Sequence, residues 1–140
     1  MSLIVLYKKG YGNRLHEKFE LYIPDSMTDK TITGSDNYVV LEPDGLMKFR
    51  RGYSWDGASG PTIDTKNTIR GSLVHDGLYQ LMRENKLNRK HRNLVDKLLR
   101  QHLREDKMSR FRAWYWYKGV YIGAKKASLE RSKRKVLSAP

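Results

Sequence analysis

At 140 residues the chain can bury a core without staples, and its lack of cysteine excludes disulfides, thiolate metal sites and cysteine nucleophiles. The formal net charge of +13 is unevenly spread: residues 1–82 hold ten Lys/Arg against ten Asp/Glu, and residues 83–140 hold eighteen against five. That asymmetry points to a polyanionic partner (nucleic acid, cell-wall polymer, anionic membrane or an acidic protein surface), while no apolar run approaches the ~20 residues of a membrane span.

The opening run Met1 to Tyr7 is too short for a signal segment and lacks a basic start, so synthesis in a reducing cytosol is expected. The first third of the chain reads as strands. Leu3 to Lys8 is a short β-rich run. Lys18 to Ile23 alternates, with Phe19, Leu21 and Ile23 on one face, until Pro24 and Asp25 stop it. Tyr38 to Leu41 forms one arm of a hairpin and Leu46 to Tyr53 the other, joined by the turn Glu42-Pro43-Asp44-Gly45. Residues Gly52 to Pro61 then form a loop rich in small residues, with three glycines and a proline.

From about Lys66 the period becomes helical. Ile69, Leu73, Val74, Gly77, Leu78 and Leu81 share one side of a helix that breaks at Asn85 to Asn88. The second helix runs from about Arg89 to Arg104, with Leu94, Val95, Leu98, Leu99 and Leu103 as its stripe. His91 and His102 project toward that apolar side, where hydrogen-bonded or snorkelling histidines are expected. A third helix starts near Ser109, a suitable N-cap, and runs into a Lys/Arg-rich end. These elements predict an α+β fold: N-terminal antiparallel β-strands and hairpins packed against a C-terminal three-helix unit. One domain is expected over 1–124, with 125–140 a basic tail or helix extension whose Lys125, Lys126, Arg131, Lys133, Arg134 and Lys135 suit a polyanion.

Four groups carry candidate chemistry: Asp56 in the glycine-rich loop, His75 and Asp76 on the first helix, and Asp96 on the second. His75 and Asp76 fall on or beside the edge away from the leucine face. Tyr79 follows His75 by one turn, Arg92 precedes Asp96 by one turn, and Ser59 sits in the loop. Three carboxylates and an imidazole suit a divalent cation such as Mg²⁺, Mn²⁺ or Zn²⁺. The same groups can share acid–base work without metal. They can equally form a hydrogen-bond network that fixes the loop, with Arg92 and Asp96 an ordinary helical ion pair.

Known motifs fit incompletely. His75-Asp76 matches the metal-binding pair of HD-type phosphohydrolases, but the upstream helical histidine is missing, because His16 lies among the strands. Zincin, nucleophile-elbow, P-loop and dinucleotide patterns are absent, and Ser59 with His75 rests on co-occurrence alone. Phe111 to Lys118 mixes rings with cations; the helical spacing favours core, yet the rings outnumber one buried stripe.

The order Gly52-x-x-x-Asp56-Gly57-Ala58-Ser59-x-Pro61, His75-Asp76-x-Leu78-Tyr79, Arg92-x-x-x-Asp96 and Tyr117-x-x-Val120-x-x-Gly123 resembles a phage- and prophage-associated family of unknown function, DUF1353-like, over about residues 50–125. The resemblance implies a phage gene product, among late genes near tail and lysis functions, acting in the host cytoplasm or the virion beside other phage proteins. It brings no settled activity. Its motif positions fall on Asp56, Ser59, His75, Asp76, Arg92 and Asp96. Gly60 before Pro61, Trp55 before Asp56 and the strongly basic C-terminal half depart from its pattern. Two functions are therefore expected: an accessory protein with a hydrolytic His/Asp site for an anionic or cell-wall substrate, or a non-enzymatic structural or nucleic-acid-binding protein.

Overall fold

The computed structural model describes residues 4–10, 12–24, 26–55 and 66–123. It is α+β, with antiparallel strands in two sheets followed by three packed helices. The strands are β1 (Tyr7–Gly10), β2 (Gly12–Leu15), β3 (Phe19–Tyr22), β4 (Ile32–Thr33), β5 (Val39–Leu41), β6 (Leu46–Phe49) and β7 (Ser54–Trp55). The helices are α1 (Ile69–Arg83), α2 (Arg92–Glu105) and α3 (Arg110–Gly123), the first two each entered through a short 3₁₀ turn.

The larger sheet has the order β3-β6-β5-β4. Alternation sets its register: Phe19 opposes Phe49, which opposes Val39, and Leu21 opposes Met47, which opposes Leu41. These side chains form two inward rows, both buried. The predicted β5–β6 hairpin is present, and Gly45 N–H donates to the Glu42 carbonyl at 3.0 Å. Gly45 takes φ +92°, and a Cβ there would meet the Ile23 carbonyl at 2.8 Å, so the turn excludes larger residues.

The second sheet, β1-β2-β7, differs from the sequence expectation. The first strand lies later than predicted, and β2, β4 and β7 are not seen in the sequence pattern. The strand from Leu46 stops at Phe49, and after a turn at Gly52 (φ +93°) the chain joins the other sheet as β7.

Helix α1 lies at the centre. Gly77 allows it to approach the larger sheet, since a Cβ there would lie 2.6 Å from the Phe49 ring. Gly71 does the same toward α2, where Leu99 and Leu103 would be met at 3.1 and 3.4 Å. Covered on both sides, α1 buries polar residues along with apolar ones: Arg70, Ser72, His75 and Tyr79 are all enclosed. Each enclosed polar group then needs a partner within the protein. Helix α2 is shared between two clusters, Val95 and Leu98 facing the main core and Leu99 and Leu103 meeting Met108, Ala113, Trp116 and Val120 from the α3 side. The predicted cap is present: Ser109 Oγ accepts from Arg112 N–H at 3.2 Å.

Candidate functional site

His75 and Asp96 come together between α1 and α2. His75 Nε2 lies 2.8 Å from Asp96 Oδ1, and the same oxygen accepts from the Tyr79 hydroxyl at 2.6 Å. The imidazole and the Tyr79 ring stack with centroids 4.2 Å apart. Helical spacing places His75 and Tyr79 one turn apart, so two donors on one helix reach one acceptor on the next. The predicted ion pair with Arg92 is present, with Nη1 at 3.6 Å from Asp96 Oδ2. Arg92 also donates to the Tyr121 carbonyl at 3.4 Å and lies 5.1 Å from that ring's centroid, so the cluster extends to α3.

Of the two neighbours on the α1 edge away from the leucine face, His75 is the enclosed one. It is 7% exposed because α2 covers that edge, and Asp96 is 0% exposed. Asp76 keeps a third of its side chain in solvent (32%), with Oδ1 at 3.8 Å from His75 Nδ1. The imidazole therefore has a buried carboxylate at one nitrogen and a more open one near the other.

Burial alone would push the His75 pKa down. Asp76 and Asp96 outweigh it, and the net shift is upward, favouring the imidazolium. Burial raises Tyr79, and its bond to Asp96 raises it further, so it remains a neutral donor. Asp96 Oδ2 has no hydrogen-bond partner among the described residues, only the longer contact with Arg92. A buried carboxylate oxygen so poorly served is a reserve of unmet hydrogen bonding.

Asp56 and Ser59 lie outside the described residues, as do Lys125, Lys126, Arg131, Lys133, Arg134 and Lys135. Among the described residues no group of three or more His, Asp or Glu could hold a metal ion. The first part of the expected glycine-rich loop is anchored: Trp55 Nε1–H donates to Ser72 Oγ at 3.0 Å, one turn before His75 on α1.

Sequence reasoning missed a second clamp. Buried Arg70 pairs through Nε with Asp106 Oδ2 at 3.0 Å and through Nη2 with Glu105 Oε1 at 2.9 Å, tying the start of α1 to the end of α2. The partners are more than thirty residues apart, and no local pattern announces them. His102 is buried rather than snorkelling, and its Nδ1 has no partner among the described residues. Of the third-helix aromatics, Trp116 is core, whereas Phe111, Trp114, Tyr115 and Tyr121 are exposed.

The family described as protein of unknown function (DUF1353) matches residues 35–120, and the chain belongs to it. The match begins earlier than the motif order suggested, taking in the β5–β6 hairpin as well as α1, α2 and most of α3. No curated protein and no solved structure matches the chain. No helix among the described residues is long and apolar enough to cross a membrane.

Proposed function

We propose that His75 is the proton-transfer group of a hydrolytic site, with Asp96 its orienting carboxylate. The observation that carries this reading is the asymmetry around the imidazole: Nε2 is committed to enclosed Asp96 at 2.8 Å, while Nδ1 faces the partly exposed Asp76. Such a dyad fixes the ring and stabilises its charged form, as acid–base catalysis requires. With its pKa raised, His75 starts as the acid and delivers a proton from Nδ1 to a leaving oxygen. Asp76 is the carboxylate on the open side, positioned to polarise water. Tyr79 and Arg92 hold Asp96 and are positioning residues. Asp56 and Ser59 join this reading through their motif positions alone.

The charge of +13 favours an anionic substrate, a phosphoester or a cell-wall polymer. A phage accessory role, in the host cytoplasm or in the virion beside other phage proteins, belongs to this proposal through the resemblance of the motif order alone. Hydrolysis of a phosphodiester and of peptidoglycan, with and without added Mg²⁺, Mn²⁺ or Zn²⁺, tests the reading. Turnover that disappears in His75→Gln and in Asp76→Asn while both variants stay folded is the expected result. An unsubstituted chain inert on both substrates, or variants as active as it, sinks the reading.

One observation favours a second reading. Asp96 is 0%, Tyr79 2% and His75 7% exposed, a degree of enclosure suited to a network that locks α1 to α2 in a non-enzymatic structural or nucleic-acid-binding protein. Under that reading His75→Gln lowers the melting temperature and changes no activity.

A further inference from the structure

Helix α3 shows rings where a solvated helix usually shows charges. Ala113, Trp116 and Val120 point into the protein. Helical spacing sets Phe111, Trp114, Tyr115 and Lys118 on the opposite side. Phe111 is 74%, Trp114 42% and Tyr115 46% exposed. No carboxylate interrupts α3. From Lys107 to Pro140 the chain holds ten Lys/Arg and a single carboxylate, Glu130. Cations from α2 flank the same helix, with Arg100 at 6.0 Å from the Tyr117 ring centroid.

We propose that this face of α3 binds single-stranded nucleic acid, with bases stacking on Trp114 and Tyr115 and phosphates against Lys118 and Arg110. The argument is charge complementarity joined to exposed π-faces: a surface without acid attracts a polyanion, and rings among the cations select one that offers free bases. A duplex satisfies the charges but hides its bases in the stack. A lipid surface fits less well, because Lys118 sits among the rings, and seating them in acyl chains would carry its ammonium along. The core already uses the other side of α3, leaving no broad apolar face for a bilayer. The proposal does not depend on the acid–base reading of His75.

The test uses the full chain and a fluorescein-labelled oligodeoxythymidine, with anisotropy measured over a salt series. Trp114→Ala and Tyr115→Ala change exposed residues, and circular dichroism verifies their folding. Each is expected to weaken binding about fivefold to hundredfold without changing the salt slope. Lys118→Ala is expected to lower that slope by about 0.7, the contribution of one phosphate contact on a single strand. Tryptophan emission should be quenched through Trp114, since Trp55 and Trp116 are buried. Three results each overturn the proposal: unchanged affinity in the Trp114→Ala/Tyr115→Ala double variant, equal affinity for a duplex, or ring-dependent binding to phosphatidylserine vesicles with none to the oligonucleotide.

Discussion

His75 and Asp96 join the central helix to its neighbour through one 2.8 Å contact, made to a carboxylate with no solvent access. Because Tyr79 uses the same oxygen and Arg92 lies near the other, three side chains depend on one buried carboxylate. Removing a partner from such a cluster leaves the rest unpaired in a medium that solvates them poorly.

Asp96→Ala should therefore destabilise the fold by about 3–5 kcal/mol, the usual effect of breaking a buried charged pair. Tyr79→Phe deletes one bond to a charged acceptor and keeps the ring, so a loss of about 2 kcal/mol is expected. Urea unfolding followed by circular dichroism measures both. An Asp96→Ala midpoint equal to that of the unsubstituted chain would show that the carboxylate contributes nothing to folding.

The two buried histidines should respond to pH in opposite directions. His75 has a raised pKa in the fold, so its charged pair is fully stabilising below the ordinary value of 6.5 and that contribution is lost as pH rises through the raised value. His102 is pushed down to about 4, first by burial and then by nearby Arg70. Between pH 6.5 and about 4 the unfolded chain binds a proton at His102 that the folded chain refuses, so stability falls on acidification by up to about 3 kcal/mol. His102→Gln should flatten the acid side of the stability–pH curve, and His75→Gln should flatten the side above 6.5. A His102→Gln curve that keeps the full acid slope would place that slope elsewhere.

Both α1 and α2 end in the same motif with different residues in the left-handed position. Asn85 N–H reaches the Met82 carbonyl at 3.0 Å and Lys86 N–H the Leu81 carbonyl at 2.9 Å; Lys107 and Met108 repeat the pattern onto Arg104 and Leu103 at 3.1 and 2.9 Å. Asn85 has φ 58° and Lys107 φ 75°. Asparagine adopts this region at little cost and lysine at a larger one, while glycine enters it without a Cβ penalty. Lys107→Gly should raise stability by about 1 kcal/mol, and Asn85→Gly by clearly less. Thermal unfolding of the two variants side by side checks the order, and a destabilised Lys107→Gly would mean that the lysine side chain makes a stabilising contact of its own.

Much of this fold was legible because its signals are periodic. Phe19 and Leu21 alternate, Glu42 to Gly45 has turn chemistry, and Leu73, Leu78, Leu98 and Leu103 recur at helical spacing. Strands β2 and β7 were not legible, since two to four mostly polar residues are too few to show a period; β2 forms a tight hairpin with β1, and β7 is held only by pairing to the distant β2. In the site, Tyr79 and Arg92 could be placed from one-turn spacing. Whether His75 is enclosed or accessible could not be decided there, because that depends on α2 lying across a face that looks polar in isolation. The same blindness hid Arg70 and its partners, and nothing in the sequence marks Lys107 as left-handed, since glycine, the usual signal, is absent there.

Glycine substitutions on two helices should have opposite signs, for a reason found in packing rather than in helix propensity. Alanine gains about 1 kcal/mol over glycine in a helix interior wherever its methyl has room. Gly119 on α3 has nothing within 4 Å of an added Cβ, so Gly119→Ala should stabilise by close to that amount. At Gly77 on α1 the same methyl would lie 2.6 and 2.8 Å from two carbons of the Phe49 ring, and 3.4 Å from Val39. Phe49 is itself buried in the inward row of β6 and cannot swing into solvent. Relief therefore requires the helix to back away from the sheet, an overpacking cost of about 1–3 kcal/mol that exceeds the propensity gain over most of its range. Because α1 carries His75 and Tyr79, the displacement would also disturb their bonds to Asp96. Gly77→Ala is thus expected to lower the unfolding midpoint and Gly119→Ala to raise it in the same denaturant titration. Equal shifts in the two variants would show that the contact between α1 and the sheet is looser than 2.6 Å implies.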